Sequence, residues 1–455
     1  MDKVVPSAAA AVEDIPHGAA IGVSGFGASH GFPVDLIEAA AQRELSGLTL
    51  VCNSLGTTDA HPRRLVAAGR VSQLRAAFSA RAAVPNSSAQ QQSPVPIEVE
   101  LIPQGILVER LRAAGAGLGP FYSPVGVDTE ISQGKERRTF DGREYVLEHP
   151  LPVDYAFVYA AAADRAGNVA FHGTSENLGP SFAKAAKTVI VQVDKIYEIG
   201  ELPIEEIDLP GVFVDRVVHS AQARTPNWRT PRDDNERREY NGKPGLTPKE
   251  IGSWIADLLP AGSYVNLGVG LPTQVSDFVA GRDIVLHAEN GALGYTERVS
   301  IDGADPDAYN AGGEPITLGA GASVFDSIVA FEIARGGHLD AVVLGAFQVD
   351  PAGSFANWTT PAMGGGAIGG AMDLVVRPGK LIIAMRHSER NGRSKIVSAL
   401  DYPPTGTAIV DLIVTDLAVV ERDGDGLVLR KVAPGFEADE VVALTEAPLR
   451  VELWD

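Results

Sequence analysis

The stretch VDYAFVYAAAADRAGNVAF, residues 153–171, decides the reading of this chain, because its pattern returns as LDAVVLGAFQVDPAGSFAN at residues 339–357. In each copy an aspartate precedes a run of small and apolar residues. A second aspartate, ten positions on, opens an Asp-x-Ala-Gly turn: Asp154 and Asp164 in the first copy, Asp340 and Asp350 in the second. Such a run reads as a buried strand, and the Asp-x-Ala-Gly that follows as its tight exit.

The match extends outward in both directions. AAIGVSGFGASHGFP (19–33) parallels GSYVNLGVGLP (262–272), each a strand running into Gly-x-Gly and then a proline before a helix. LTLVCNS (48–54) parallels IVLHAEN (284–290), and AKTVIVQVDKI (186–196) parallels GKLIIAMRHSE (379–389). Four matches in one order point to a duplication. Short apolar strands such as AIGVSGF (20–26), LTLVC (48–52), YAFVYAA (155–161) and TVIVQVD (188–194) alternate with amphipathic segments such as VDLIEAAAQREL (34–45). That order gives the α/β class, as two similar open α/β domains in tandem. Residues 223–247 are polar, charged and proline-bearing without apolar periodicity, which is linker composition. The expected domains are therefore 1–222 and 248–455. PNSSAQQQSP (85–94) reads as an exposed loop inserted in the first.

Bulk properties agree. A chain of 455 residues is too long for one ordinary core. A net charge of −20 argues against nucleic-acid binding, which needs a basic surface. The single cysteine, Cys52, excludes an intramolecular disulfide and any cysteine-based metal cluster, and its place after LTLV makes it a core thiol. Nine histidines show no paired spacing, so no metal is expected. MDKVVPSAAAAVEDIPHG lacks the pattern of a secretory or mitochondrial address, and no run has membrane-span length. A soluble cytoplasmic protein is the expectation.

The duplication exposes an asymmetry. In DIVLHA (283–288), Ile284, Leu286 and Ala288 alternate with Val285 and His287, and Asn290-Gly291 then breaks the strand. Glu289 is thereby delivered into a small-residue turn. It is either an incidental acid on a solvated turn or a carboxylate held rigidly for nucleophilic work. The first half has Asn53-Ser54 at the corresponding place, whereas a purely structural turn would look alike in both copies.

Other motifs are weaker alone. Gly25-Phe26-Gly27 and Gly268-Val269-Gly270 follow strands, but neither continues as a dinucleotide fingerprint, since the sixth positions are His30 and Thr273. GGGAIGG (364–370) is either flexible filler or backbone meant for close approach, whose N–H groups could stabilise an oxyanion. Gln104 is either a helix-start residue or an amide facing a ligand. His338 reads as a loop histidine.

Together these residues resemble the family I CoA-transferases, above all those moving CoA between succinate or acetate and 3-oxoacids, with α- and β-type subunits fused in one polypeptide. The resemblance rests on SGFGASHGFP, PQGILVERLRAAGAG, FYSPVG, DRAGNV and LPGVFVDRVV in the first half. In the second it rests on NLGVGLP, ENGALG, NAG (310–312), RGGHLD, LGAFQVD, ANW and GGAMDL. It implies that Glu289 is a nucleophile working by ping-pong through an acyl-glutamyl anhydride and a glutamyl-CoA thioester, in an active site between the two halves. By the same resemblance Gly369 and Gly370 supply oxyanion donors, and Gln104, with Gly25, Phe26 and Gly27, meets the acid. Asn266, Gly268, Val269, Gly270 and Asn310 lie along CoA. Coenzyme A enters as substrate, no tightly bound cofactor is implied, and the assembly expected is a homodimer or homotetramer.

The sequence departs from the family where serine usually precedes the glutamate (here Ala288) and where lysines are usual (here Gly313, Ala362, Met363 and Gly366). The family's Arg-Asn-Phe-Asn-Pro is Glu176-Asn177-Leu178-Gly179-Pro180 here. An acid in place of arginine disfavours a dicarboxylate such as succinate. Hydrolysis of acyl-CoA at the same glutamate, or CoA binding without catalysis, are the alternative functions.

Overall fold

The computed structural model describes residues 2–27, 31–58, 60–81, 86–221, 228 and 234–454. The first half is built on β1 (Ala20–Val23), β2 (Leu48–Ser54), β3 (Val71–Phe78), β4 (Glu98–Leu101), β5 (Val153–Asp164), β6 (Ala186–Tyr197) and β7 (Arg216–His219). These run β7-β6-β5-β1-β2-β3-β4, every neighbouring pair parallel. The second half starts with β8 (Tyr264–Leu267), β9 (Val285–Ala288), β10 (Ala292–Arg298), β11 (Ile316–Val324) and β12 (Ala341–Leu344). It continues with β13 (Leu381–Ala384), β14 (Leu412–Val414), β15 (Ala418–Asp423), β16 (Gly426–Val432) and β17 (Leu449–Val451). Its order is β11-β10-β9-β8-β12-β13-β14-β15-β16-β17. The five-strand parallel block β7-β6-β5-β1-β2 of the first sheet therefore recurs as β14-β13-β12-β8-β9 in the second.

The duplicated aspartates explain why the two blocks are superposable. Asp154 accepts the Ala20 N–H at 2.9 Å, and Asp340 accepts the Tyr264 N–H at 2.8 Å, each fixing the start of the central strand. Asp164 and Asp350 accept the N–H groups of Asn168 and Ser354, both at 2.9 Å, across turns closed by Gly167 and Gly353 at φ 88° and 81°. A third pair escapes the sequence comparison: Asp215 accepts the Val189 N–H and Asp411 the Leu381 N–H, at 2.8 and 2.7 Å. Strand register makes Val189 and Leu381 equivalent, one residue out from an end-to-end match of AKTVIVQVDKI with GKLIIAMRHSE.

Three large apolar cores follow, with a small fourth cluster of Ala162, Ala170 and Leu202. One lies wholly in the second half and one wholly in the first, whereas the third joins Phe26, Ile106 and Val158 to Phe331, Trp358, Ile368 and Met372. The helices that position the site are α1 (Val34–Gln42), α2 (Gln104–Gly115), α3 (Pro248–Asp257), α4 (Ser327–Gly336) and α5 (Ala371–Leu374). α1 buries Leu36, Ile37, Ala40 and Ala41, the stripe its sequence spacing predicts, but ends at Gln42, short of the expected Leu45.

Several expectations change. PNSSAQQQSP is not a plain loop: residues Ala89–Gln92 form a helical turn with a Ser88–Gln91 capping box, and Pro85 lies outside the described residues. Of the expected linker, 223–227 and 229–233 also lie outside them. The rest contains a small hairpin, Glu239–Tyr240 with Lys243–Pro244, anchored by the buried Tyr240 hydroxyl donating to Asp416 at 3.0 Å. β9 does not alternate between core and solvent, since Leu286, His287 and Ala288 are all buried. β9 lies inside the sheet between the parallel β8 and the antiparallel β10, and it is covered on both faces. Cys52 is buried, as expected, and burial pushes its thiol well above the usual range.

The two halves diverge at the edges of the shared block: the second sheet adds β15, β16 and β17 beyond β14, and at the other edge the two continue differently. β2 leads through a loop and a short helix to the parallel β3. β9 instead reverses at once through Glu289-Asn290-Gly291 into the antiparallel β10. Gly291 has φ 108°, its carbonyl accepts the Phe325 N–H at 3.0 Å, and a Cβ there would lie 1.9 Å from the Phe325 carbonyl oxygen. Gly291→Ala should therefore destabilise the protein by about 2–4 kcal/mol. Denaturant unfolding of the two forms, at matched m-values, checks it.

Candidate active site

The turn that ends β9 is buried, not solvated. Glu289 is 9% exposed and Asn290 is fully buried. Asn290 donates through Nδ2 to the Tyr309 carbonyl at 2.8 Å, which pins the turn. No protein group among the described residues donates a hydrogen bond to the Glu289 carboxylate. Burial, and secondarily the Asp373 carboxylate, push its pKa up from 4.5 to about 8. A carboxyl group held this way is costly to ionise and poorly solvated once ionised.

Gly370 forms the wall beside it. A Cβ on Gly370 would lie 2.2 Å from Glu289 Oε2 and 2.9 Å from the Phe331 ring. Gly369 has φ 57° and packs on Phe78, while Gly365 and Gly366 lie against Ser79, Leu101 and Trp358. The glycine run is thus a close-approach backbone, and the flexible-filler reading is overturned. Ile368 and Gly369 donate to the Ala77 carbonyl at 3.0 and 3.4 Å, but Gly370 and Ala371 make no N–H hydrogen bond among the described residues.

Two amides converge on the same spot from the first half. Gln104 opens α2, its N–H donating to the Gly369 carbonyl at 2.9 Å. Asn53 ends β2 beside Ala77 of β3, the residue whose carbonyl holds the Ile368-Gly369 backbone. Both side chains are fully buried, and Asn53 Oδ1 and Nδ2 and Gln104 Oε1 and Nε2 all lack hydrogen-bond partners. Four unpartnered buried amide atoms on two side chains are far from the native norm and make these amides candidate contacts for a polar ligand.

Behind this surface a charged network ties the halves together. Asp373, fully buried, accepts the Gly105 N–H at 3.0 Å and the Arg335 guanidinium at 3.1 Å, and Arg335 reaches Glu109 at 2.5 Å. Burial pushes Asp373 up to about 6 despite Arg335. Gly105 must be glycine here, because a Cβ would fall 2.3 Å from Asp373 Oδ1.

The other expected residues divide. Gly25-Phe26-Gly27 borders the site: the Ser54 hydroxyl donates to the Gly27 carbonyl, and Phe26 packs in the core shared by both halves. Gly268-Val269-Gly270 lies at the carboxyl end of β8, where the order turns from β9 on one side to β12 on the other. Such switch points are where open α/β sheets take ligands. Val269 is exposed there, whereas Asn266 is buried and donates to His287. Asn310 uses its own side chain to hold the turn Gly312–Glu314 and the Glu314 carboxylate. His338 is exposed on a loop. Asn53, Arg335 and Asp373 were not among the expected site residues. Only for Asn53 was a signal present, since it stands opposite Glu289 in the duplicated pattern.

Local geometry accounts for some departures. Gly313 sits at φ 76° in the Asn310 turn, and a Cβ on Gly366 would meet Leu101 at 2.5 Å. Glu176 is half-buried next to Asp208 and Asp326, and burial with those charges pushes it up to about 7.

Ionisation of Glu289 must weaken the fold. Folded, its carboxyl keeps a proton up to about pH 8; unfolded, it releases that proton near 4.5. Its contribution to stability is full below pH 4.5 and lost as pH rises through 8. Glu289→Gln should match the parent at pH 4.5 and exceed it at pH 9 by roughly 2–4 kcal/mol. Paired thermal and denaturant unfolding across that range measures the difference.

The comparisons agree with this geometry. The sequence profile of the family described as coenzyme A transferase matches residues 5–220 and 249–444. The chain is 32% identical to the mitochondrial succinyl-CoA:3-ketoacid coenzyme A transferase 2A of Rattus norvegicus, over 97% of this chain and 88% of that protein. The 3-oxoadipate CoA-transferase subunits A and B of Pseudomonas putida are 42% and 40% identical to it, over 48% and 45% of this chain and 94% and 96% of their own lengths. In fold it is similar to an acyl-CoA transferase of Escherichia coli O157:H7, with a TM-score of 0.81 and 20% identity over 100% of this chain and 95% of that one. A duplicated α/β scaffold with a buried glutamate at its seam, matched by that profile in both halves, is thus an enzyme of the coenzyme A transferase family.

Proposed function

We propose that the transfer of CoA from an acyl-CoA to a carboxylic acid runs through Glu289 as covalent nucleophile. The observation that carries this reading is the buried, unpartnered Glu289 carboxylate lying against Gly370, with the free amides of Asn53 and Gln104 gathered around Gly369.

A Glu289 oxygen attacks the thioester carbonyl carbon, the C–S bond breaks, and CoA leaves as thiolate, giving an acyl-glutamyl anhydride. The thiolate attacks the glutamyl carbonyl carbon, forming a glutamyl-CoA thioester and releasing the first acid. The second carboxylate attacks that thioester, the thiolate leaves and then attacks the new acyl carbonyl, and acyl-CoA departs with Glu289 restored. Each addition places negative charge on a carbonyl oxygen. The Gly370 N–H and the amides of Gln104 and Asn53 are the preorganised donors for it, whereas the expected Gly369 N–H is turned to the Ala77 carbonyl. CoA runs past the Gly268–Gly270 loop at the sheet's switch point. The acceptor is a short-chain or 3-oxo acid, and the acidic surroundings of Glu176 disfavour a second carboxylate near that end.

Incubation with acetoacetyl-CoA and no acceptor acid, followed by borohydride or hydroxylamine and mass spectrometry, should place the modification on Glu289 alone. Glu289→Ala should lower turnover about a thousandfold or more. A modified residue elsewhere refutes the mechanism, and acceptor-independent thiol release at the full rate makes the enzyme a hydrolase.

Asp373 is a positioning residue in this reading, since its charge raises Glu289 and its bonds hold α2 to α5. The acid limb of kcat/KM against pH should lie near 8 in the parent. Asp373→Asn should move it down by about one pH unit. A purely structural role would lower kcat without moving the limb.

A further inference from the structure

Beside Arg335, residues of both halves line an open cavity of about 230 Å³. The first half contributes Tyr122, Arg143 and Tyr145 from a small antiparallel sheet of residues 121–148. The second contributes Arg335 and Arg377. The Arg143 guanidinium lies over the Tyr145 ring, 5.9 Å from its centroid, and donates to the Val376 carbonyl at 3.1 Å.

Its charge is what sets this cavity apart. The chain carries a net −20, and many of its arginines are paired with carboxylates. Arg143 and Arg377 both face the cavity, and neither meets a carboxylate within ion-pairing distance among the described residues. Glu109 is the cavity's only acid, and both of its oxygens are already taken, by Arg335 and Arg112. Two unneutralised guanidinium groups beside flat tyrosine faces are a receptor for an anion with a planar or apolar body. The size excludes a whole coenzyme A, because sites for cofactor-sized ligands run from about 300 to 1,000 Å³.

We propose that this cavity is a second binding site, for a small organic carboxylate, with the carboxylate on Arg143 and Arg377 and the body on Tyr122 and Tyr145. It is separate from the acid-binding amides at Gly369 and does not depend on the chemistry proposed for Glu289.

Calorimetric titration of the full chain with benzoate tests it. In an Asn53→Ala/Gln104→Ala background, which removes the active-site amides, benzoate should still bind with a stoichiometry of one. Adding Arg143→Ala/Arg377→Ala should weaken that binding at least tenfold, and Arg143→Lys/Arg377→Lys should restore part of it. Arg143→Ala/Arg377→Ala alone should keep parental transfer activity, which also reports an intact fold. Absence of benzoate binding in the amide-free background, or binding indifferent to the arginines, overturns the proposal. Inorganic phosphate binding there in place of benzoate overturns the assignment to organic acids. Full transfer activity of Asn53→Ala/Gln104→Ala would count against the active-site reading and leave this site standing.

Discussion

Two successive N–H groups at the start of α2 hold the active site together. Gln104 donates to the Gly369 carbonyl and Gly105 to the Asp373 carboxylate, so a helix of the first half finds its missing partners in the second. Every helix begins with N–H groups that lack intrahelical acceptors. Here one acceptor is the backbone that walls Glu289 and the other is the Asp373 side chain that follows it. Separating the halves would orphan both donors, expose the shared core around Phe331 and Met372, and dismantle the carboxylate's surroundings. The site belongs to neither half.

The duplication supplies a scaffold, and a departure from it at the ends of β2 and β9 sets Glu289 apart. Five parallel strands repeat with the same order and the same aspartate anchors. On the β9 side the chain then reverses immediately, and on the β2 side it does not. The reversal places Glu289 at the rim of one sheet. The parallel continuation into β3 places Phe78 against Gly369 and Ala77 under Ile368. Asn53 and Glu289 hold equivalent positions at the ends of equivalent strands, and the seam brings both to the same glycine backbone. A symmetric dimer of either half alone would present two glutamates or two asparagines, never one facing the other.

Much of the fold was legible because strands and turns leave local marks. The Asp-x-Ala-Gly turns and the two Gly-x-Gly exits announced the repeat, and the α/β order followed from it. Glu289 stood out as the unmatched member of the duplicated turn, whereas the glycine run was left open between filler and close approach until its packing decided it. What stayed hidden was decided by partners distant in sequence. Asp373 looks like any helix acid until Gly105 and Arg335 close on it, and Arg335 was read only as a residue before a strand. The alternation in DIVLHA suggested a half-exposed strand, but its place inside the sheet, between β8 and β10, buried His287 as well. Asn310 had the right position by resemblance, yet its side chain is committed to its own turn.

The burial of Glu289 sets the terms on which this site can act. A carboxylate with no donor, near a second carboxylate, is destabilised as an anion, and in the proposed mechanism that destabilisation favours its attack on a thioester. The same environment offers nothing to stabilise the anion in the resting state, so substrate binding must complete the site. The unpartnered amides of Asn53 and Gln104 are the other half of this arrangement. They cannot reward a resting carboxylate they do not touch, and they become useful only when a ligand oxygen arrives between them and Gly369. Interactions withheld until charge develops raise kcat, whereas those already made in the resting enzyme do not. The fold therefore carries, in one place, an acid that is hard to ionise and donors that have nothing to bind. Each is a liability to stability alone, and an acyl-CoA satisfies both at once.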